Sequence, residues 1–329
     1  MEKSICKLKI GEEQGTAFFC KILYPDRNNM LSAFITNNHV LNNELLSKKD
    51  LIIEIKIEED KFPKKLNLNN RMKYTNEEDD IAIVELKEED NINNFLEIDD
   101  IIIDDILYND NKNNKFLDKT VYIIQYPEGE LSVSYGILYK INGGEHLFNF
   151  IHKCSTKKGS SGSPILNLKN KVIGIHKQGG CKNNLNKGAF LNNSIKEFIK
   201  MYKSNIIGEI KEKNNKNQIL LKEFNSKYTL NIKDNNIDKI DLKGKNMSNE
   251  DLKELCKIEF NELKYLYLGK NNLSDINILE KLNLEKLESL KLRSNKISDI
   301  NVLSKINFKE LKCISFYENN VLFNIFKIC

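Results

Sequence analysis

Short runs of apolar, β-branched and aromatic residues recur through the first 192 residues of the chain. These runs occupy residues 15–23, 31–36, 50–58, 80–86, 120–126, 131–141, 163–167 and 171–177, with turn-forming polar segments between them. A helical period is almost absent from this part of the chain. Because many short strands without helices are typical of β-sandwiches and barrels, the pattern predicts an all-β domain.

An amphipathic helix is predicted directly after these strands. Ser194, or its neighbour Asn193, can cap the helix, and Glu197 stands three residues after Ser194 as in a capping box. Four apolar residues then share one helical face: Ile195, Phe198, Ile199 and Tyr202. We expect this helix to close a first domain of residues 1–203. Residues 204–229 contain the polar run KEKNNKNQ and are predicted to be a linker or a cap of the following domain.

The remainder of the chain repeats with a period of 24 residues. The pattern LxxLxLxxNxL occurs at Leu263, Leu266, Leu268, Asn271 and Leu273, at Leu287, Leu290, Leu292, Asn295 and Ile297, and at Leu311, Ile314, Phe316, Asn319 and Val321. A looser copy precedes them at Ile237, Ile240, Leu242 and Met247. Each central triplet predicts a short strand with its apolar side chains in the core, and the asparagine is expected to bond backbone groups inside the turn.

This repeat resembles the leucine-rich repeat, whose period is about 20–29 residues. The resemblance implies a small α/β solenoid over residues 230–329, in which each unit buries its apolar face only by stacking on its neighbours. The exposed face of the strands is then the expected surface for a protein partner. The apolar end of the chain, residues 321–329, is predicted to seal the last coil or to remain an exposed apolar end.

Charge and cysteine content narrow the classes of function. The net charge is +4, and the basic residues are spread along the chain, which disfavours a nucleic-acid partner. The N-terminal residues lack the apolar core of a signal peptide, and no stretch approaches the length of a membrane span. The seven cysteines are odd in number and form no CxxC pair, so we expect neither disulfides nor a zinc site, and a cytoplasmic location.

Three motifs in the first domain contain candidate catalytic residues. His39 follows the apolar run 31–36, Asp80 precedes the alternating run 81–86, and Ser161 lies in the segment GSSGSP. A serine hydroxyl is a poor nucleophile and needs an adjacent base, and an imidazole oriented by a buried carboxylate supplies one. Asp79 is the alternative carboxylate, but its side chain would face the other way if the strand begins there.

In this order and on β-rich flanks, the motifs resemble those of chymotrypsin-fold serine proteases. The resemblance covers about residues 10–202 and is to the branch of the glutamyl endopeptidases and bacterial heat-shock proteases, whose histidine has a context similar to TNNHV. It implies a double β-barrel with a C-terminal helix and a His39–Asp80–Ser161 triad. It also implies an oxyanion hole formed by the backbone N–H groups of Gly159 and Ser161, and it requires no cofactor or metal.

The same resemblance suggests how the site is activated and what it selects. Ser160 stands where zymogen-type relatives carry an acid, so no activation by a new N-terminal amine is expected, and other contacts must hold the loop. Ser155 occupies the base of the family's substrate pocket, so a preference for Lys or Arg is not expected. His176, Thr156 and Gly179 match pocket positions, and the neighbouring lysines 157, 158 and 177 add positive potential.

These residues leave two alternatives for the substrate specificity and two for the class of function. His176 and Thr156 predict a preference for Glu or Asp at P1; alternatively, His176 only bonds the pocket wall and the enzyme takes medium-sized apolar residues. The prediction for the whole chain is a serine endopeptidase whose repeat recruits a protein substrate or partner. The alternative is a catalytically inactive, protein-binding scaffold. His146 and His152 are interpreted as ordinary surface or core histidines.

Overall fold

A computed structural model of the chain describes residues 1–11, 13–24, 30–142, 149–181, 185–230 and 232–321. The chain divides into two compact units, Met1–Asn205 and Ile206–Cys329. Each unit has a hydrophobic cluster of its own, built from the apolar runs of its strands.

The first unit begins with a seven-stranded antiparallel sheet. Its strands are β1 (Ile5–Ile10), β2 (Glu13–Ile22), β3 (Leu31–Thr36), β4 (Ile52–Lys56), β5 (Lys64–Asn67), β6 (Lys73–Asn76) and β7 (Ile81–Glu85). They pair in the order β5-β4-β1-β2-β3-β7-β6. Because β3 and β7 pair with Thr36 opposite Ala82, the residues after β3 and those before β7 lie at the same end of the sheet.

Six further strands of this unit form a closed barrel. They are β8 (Thr120–Gln125), β9 (Ser132–Ile141), β10 (Asn149–His152), β11 (Pro164–Asn167), β12 (Val172–Cys181) and β13 (Leu185–Phe190), and they close in the order β10-β13-β12-β11-β8-β9. One apolar cluster contains side chains of both layers, including Phe18, Ile35, Phe150 and Ile165. The two sheets are consistent with the expected chymotrypsin-like double barrel, although the first is not closed among the described residues.

Three helices accompany these sheets: α1 (Asn43–Leu46), α2 (Asp100–Tyr108) and α3 (Asn192–Tyr228). In the first turns of α3, Ile195, Phe198 and Ile199 pack in the apolar cluster of the first unit, as the predicted amphipathic face requires. The segment predicted as a linker or cap, residues 204–229, is helical up to Tyr228. Leu221, Phe224 and Tyr228 belong to the core of the second unit.

The second unit is a four-stranded parallel sheet assembled from the sequence repeats. Its strands are β14 (Lys239–Asp241), β15 (Tyr265–Tyr267), β16 (Ser289–Lys291) and β17 (Cys313–Ser315), and its one α-helix among the described residues after α3 is α4 (Asn249–Leu255). Ile240, Leu266, Leu290 and Ile314 are aligned in register across the four strands. The 24-residue period is thus the spacing that brings equivalent apolar residues side by side.

The recurring asparagines form a hydrogen-bonded ladder along this sheet. Asn295 Nδ2 donates to the carbonyls of Leu268 and Leu292 at 2.9 Å each, and its Oδ1 accepts from Leu273 N at 3.1 Å. Asn271 and Asn319 make the equivalent bonds one repeat before and one repeat after. Each asparagine therefore joins its own turn to the preceding repeat, which explains why one residue type recurs at that position.

Several elements of the first unit differ from the sequence prediction. Strands β1, β5, β6, β10 and β13 and helix α2 were not predicted from the pattern. Helix α2 begins at an Asp99 cap whose Oδ1 accepts from Ile101 N at 2.9 Å. Its nine residues are too few to establish a helical period against the surrounding strand pattern. His146 and most of the apolar end, residues 322–329, lie outside the described residues.

Candidate active site

His39 and Asp80 meet at the end of the first sheet where β3 and β7 pair. His39 lies in the turn after β3, and its Nδ1 is 2.8 Å from Asp80 Oδ2, while its backbone N–H donates to Asp80 Oδ1 at 2.9 Å. Because a carboxylate only accepts, Nδ1 carries the proton and Nε2 is left as the basic nitrogen. Half of the His39 side chain is exposed, so this base is accessible.

The backbone around Asp80 fixes the direction of its carboxylate. Asp80 has a φ of +55°, a left-handed conformation that Asp adopts more readily than most residues. The buried side chain of Asn37 donates to the Asp80 carbonyl at 2.8 Å, which joins the turn before β7 to the end of β3. These contacts hold both carboxylate oxygens towards His39.

Asp79 has a different role from Asp80. Its carboxylate is buried and accepts from Asn193 Nδ2 at 3.0 Å and from Ser194 Oγ at 3.4 Å, at the start of α3. Burial raises the pKa of Asp79 above its usual value. The structure therefore brings Asp80, and not Asp79, to His39.

Ser161 lies in the turn before β11 of the barrel and shares a cleft with His39 and Asp80. The cleft has a volume of about 600 Å³, and the other lining residues are Thr156, Lys157, Lys158, His176, Lys177, Gln178 and Gly179. Within the described ranges, no hydrogen bond joins Ser161 Oγ to His39. Such bonds are often long in enzymes without substrate and shorten in the complex.

Two backbone N–H groups that flank Ser160 have no acceptor among the described residues. They belong to Gly159 and Ser161, whereas Ser160 N donates to the Lys157 carbonyl and Gly162 N donates to the His176 carbonyl. Gly159 has a φ of +95°, and a Cβ there would lie 2.5 Å from the Tyr126 carbonyl oxygen. Only glycine fits this conformation and this space, and unengaged donors next to a nucleophile suit an oxyanion.

Thr16 on β2 holds the serine turn, and the sequence did not reveal this role. Its backbone N–H donates to the Ser161 carbonyl at 2.8 Å, and its hydroxyl donates to the Gly159 carbonyl at 2.8 Å. The same hydroxyl accepts from Tyr126 N at 3.1 Å. Thr16 is fully buried, so these bonds are shielded from water.

Ser160 contributes from inside the turn. Its Oγ accepts from Lys157 N at 3.1 Å, and its carbonyl accepts from the Ser163 hydroxyl at 2.6 Å. Both serines are buried. Together with Thr16, they supply contacts that hold this turn without an acidic residue at position 160.

A second histidine stands behind His176, and the sequence analysis assigned it no role in the site. His152 Nε2 lies 3.1 Å from His176 Nδ1, and His152 Nδ1 accepts from Cys154 N at 3.3 Å. The accepting Nδ1 leaves the proton of His152 on Nε2, which donates to His176 and leaves the proton of His176 on its own Nε2. Burial lowers the pKa of His152 to about 4 and of His176 to about 3, so both rings are neutral at pH 7.

Of the remaining predicted pocket residues, Thr156 and Gly179 line the cleft, whereas Ser155 lies at the surface. Thr156 Oγ1 is buried without a hydrogen-bond partner among the described residues. A Cβ on Gly179 would lie 2.5 Å from it, so glycine leaves the room that this hydroxyl occupies. Ser155 is exposed and does not line the cleft. Its N–H donates to Ser134 Oγ at 2.7 Å, and its carbonyl accepts from Gln125 Nε2 at 3.0 Å, which turns the residue away.

The three lysines near the cleft are not equivalent. Lys177 Nζ donates to the Glu78 carbonyl at 2.6 Å and to Asn149 Oδ1 at 2.8 Å, and burial lowers the pKa of its ammonium. Lys157 pairs with Glu128 at 3.0 Å. Lys158 is exposed and has no acidic partner among the described residues. Asp79 and Asp80 lie near Lys177 and offset part of its charge, so Lys158 is the least compensated of the three lysines.

Among the described residues, no group of three or more His, Cys, Asp or Glu side chains is arranged to hold a metal ion. No described helix has the length and apolar character needed to cross a membrane.

Comparison with known proteins supports the class of site that this geometry suggests. Residues 15–175 match the family model of the trypsin-like peptidase domain. That range begins one residue before Thr16, contains His39, Asp80 and Ser161, and ends one residue before His176. This part of the chain is thus similar to trypsin-like peptidases.

Individual relatives match over shorter segments or at low identity. Glutamyl endopeptidase of Staphylococcus aureus strain MW2 is 50% identical over 46 residues, which is 14% of this chain and 14% of that protein. The chain thus spans about one seventh of the curated relative's length. The protease Rv3671c in its inactive form is 14% identical, with a TM-score of 0.42 over 60% of this chain and 89% of that one. A serine protease of human pathogenic astrovirus is 16% identical, with a TM-score of 0.40 over 58% of this chain and 90% of that one.

Proposed function

We propose that the chain is a serine endopeptidase that hydrolyses peptide bonds of protein substrates. The observation that supports this most strongly is one cleft that contains the His39–Asp80 pair and Ser161, next to two backbone N–H groups without acceptors. If the turn that contains Ser161 had only a structural role, it would not need an oriented histidine in the same cleft. The trypsin-like match over residues 15–175 agrees with this function.

The proposed reaction uses residues of the chain alone. Ser161 Oγ attacks the carbonyl carbon of the substrate while its proton passes to His39 Nε2, and Asp80 stabilises the imidazolium that forms. The oxyanion accepts hydrogen bonds from the N–H groups of Gly159 and Ser161. His39 then gives the proton to the leaving amine, and water hydrolyses the acyl-enzyme by the same steps in reverse.

Hydrolysis of a protein substrate such as casein tests the activity. Ser161→Ala is expected to lower the rate by at least about 10⁴-fold, because the nucleophile is lost while binding remains. Ser47→Ala, at an exposed serine directly after α1 of the same unit, is the matched control and should retain the full rate. Equal rates for the two variants would show that any cleavage arises elsewhere.

We infer that the pocket prefers Glu or Asp at P1. His176 Nε2–H and the unpaired Thr156 hydroxyl are two donors in the same cleft, and Lys158 and Lys177 add positive potential. A carboxylate accepts from both donors, and the positive potential favours its charge over the neutral amide of glutamine. Burial keeps His176 neutral at pH 7, so this recognition rests on hydrogen bonds and potential rather than on a preformed ion pair.

A matched pair of peptides that differ only in Glu or Gln at P1 tests this preference. The wild-type chain should cleave the Glu peptide at least about tenfold faster in kcat/KM, and Thr156→Val should reduce that ratio severalfold by removing one donor. A larger rate for medium-sized apolar P1 residues would instead support the pocket in which His176 only bonds the wall.

The second unit is proposed to be a leucine-rich repeat that recruits a substrate or partner. Support comes from the parallel strands in register, the 24-residue spacing and the asparagine ladder. We further propose the domain limits 1–203 and 230–329, with the residues between them as a helical cap.

The other candidate is an inactive scaffold that only binds proteins. The observation in its favour is that Ser161 Oγ makes no hydrogen bond to His39 in the described part of the chain. A scaffold would bind substrate-like peptides without turnover, so the casein assay separates the two functions.

A further inference from the structure

The strands of the second unit share a surface that carries aromatic and basic side chains. Most of these basic side chains are not paired with a carboxylate of the same surface. A groove of about 330 Å³ on this face is lined by residues including Lys243, Tyr267, Gly269, Lys291, Arg293 and Tyr317. Asp241, Tyr267, Lys291 and Ser315 form one row across the sheet. We call this surface the strand face.

Two lysine side chains lie close to the ring of Tyr267. Lys291 Nζ lies 4.2 Å from the centre of the Tyr267 ring, and Lys239 Nζ lies 5.0 Å from it. Arg293 stacks at 5.6 Å from the ring of Tyr317 and also donates to its hydroxyl. Cation–π contacts orient these side chains without cancelling their charge.

Elsewhere on the repeats, three lysines are matched with glutamates. Lys286 pairs with Glu262 at 2.6 Å, Lys309 with Glu285 at 2.9 Å and Lys312 with Glu288 at 2.8 Å.

On the strand face, only Lys239 has such a partner, Asp241 at 3.6 Å. Among the described residues, Lys243, Lys291 and Arg293 form no ion pair with a carboxylate. Three cations without a carboxylate partner among the described residues therefore lie together on the strand face.

We propose that the strand face binds an extended, acidic segment of a protein, which deepens the recruitment role proposed above. Lys291 is the last residue of β16 and Arg293 lies two residues further along the chain. In extended backbone this separation is about 7 Å, which is also the spacing of alternate side chains in an extended peptide. Carboxylates at alternate positions can therefore meet both cations at once. Asp241 and Ser315 make the face less suited to a continuous phosphate backbone, since a nucleic acid places a charge on every residue.

Fluorescence anisotropy of a labelled peptide of five Glu-Ser repeats tests the proposal on the full chain carrying Ser161→Ala. Binding should be saturable at about 50 mM salt and weaken as salt rises, because exposed charges are screened. The same peptide with glutamine in place of glutamate should bind at least about tenfold more weakly, since the charge-assisted bonds are lost. Ser161→Ala prevents cleavage, so failure to bind would leave the proposed protease activity untouched.

A matched pair of variants locates the site. Lys291→Gln with Arg293→Gln should weaken peptide binding at least about tenfold, whereas Lys286→Gln with Lys309→Gln, which removes the same charge from paired positions, should change it less than about twofold. Lys243→Gln alone should give a smaller loss in the same direction. Circular dichroism checks that each variant is folded.

Three results would overturn the proposal: no saturable binding of the glutamate peptide, equal weakening by the two double variants, or tighter binding of a single-stranded RNA of similar length. The first two exclude a specific acidic site on the strand face. The third would identify the face as a nucleic-acid surface.

Discussion

At the scale of single residues, Asp79 and Asp80 are neighbours whose carboxylates face different partners. From the sequence, Asp80 was favoured because it precedes the strand as the aspartate of the resembled family does, and because successive side chains point in opposite directions at the start of a strand. The positive φ of Asp80 and its two bonds to His39 are the structural counterpart of that expectation.

Asparagine substitutions of the two aspartates should have unequal effects on catalysis. Asp80→Asn is expected to lower kcat by about 10²–10⁴-fold, because an amide no longer fixes the tautomer of His39. Asp79→Asn keeps an acceptor for Asn193 and Ser194, so kcat should fall less than about fivefold. Steady-state kinetics of both variants with one peptide substrate makes the comparison. A greater loss of kcat in Asp79→Asn than in Asp80→Asn would show that Asp79, and not Asp80, is the triad carboxylate.

The role of Thr16 in the site could not be predicted from the sequence. A threonine on an alternating strand gives no local sign that it will bond a turn 143 residues away. The role of His152 was missed for the same reason, because burial against His176 arises only when β10 and β12 enter the same barrel. Local patterns predict residues next to a motif, and these contacts depend on packing between strands.

Replacement of Thr16 by the isosteric valine should impair catalysis more than binding. It leaves the Gly159 carbonyl and the Tyr126 N–H without partners, at a cost of about 1–3 kcal/mol each if they stay dry. We expect kcat to fall at least about tenfold with KM changed less than threefold, as the oxyanion donors lose their support. Thr120→Val, at an exposed strand position, is the control. A change in KM alone would argue against a role for Thr16 in the oxyanion site.

At the scale of elements, long alternating strands were predicted well and short polar ones were not. The run 31–36 coincides with β3 (Leu31–Thr36), and the run 120–126 coincides closely with β8. By contrast, β5 and β6 have four residues each, rich in Lys, Asn and Thr, and only pairing with neighbouring strands makes them strands. The repeat register was readable because the same side chains recur at one period.

The asparagine ladder should be a main source of stability in the second unit. Asn295→Ala removes bonds to two carbonyls and one N–H in a buried position, so we expect a loss of about 2–5 kcal/mol in the free energy of unfolding. Asn307→Ala, whose exposed amide bonds only the exposed Glu285, should cost less than about 1 kcal/mol. Urea denaturation followed by circular dichroism measures both. Similar small losses would mean that the ladder is not what holds the repeats together.

At the scale of the whole molecule, the buried histidine pair should make stability depend on pH. Both folded pKa values lie below the value of 6.5 for a free histidine. The unfolded chain therefore takes up protons first as the pH falls. The stabilising contribution is fully present above about pH 6.5 and is lost as the pH falls towards 4.

The contribution of this pair can be isolated by substitution. His152→Gln removes one of the two groups, so the loss of stability between about pH 6 and pH 4.5 should become markedly shallower. Ser47→Ala, which removes no titratable group, should leave that slope unchanged. Thermal denaturation across this pH range, followed by circular dichroism, provides the comparison. Parallel slopes for wild type and His152→Gln would show that the buried pair does not govern acid stability.

The central claim is that Ser161 is the nucleophile of a serine hydrolase site, and a fluorophosphonate probe tests it most directly. Only a serine with an oriented base and an oxyanion site reacts rapidly with such a probe. Mass spectrometry of the labelled chain should find the adduct on Ser161, with Ser160 and Ser163 unmodified, and Ser161→Ala and His39→Ala should abolish it. An unlabelled wild-type chain, or labelling that persists in Ser161→Ala, would contradict the proposed function.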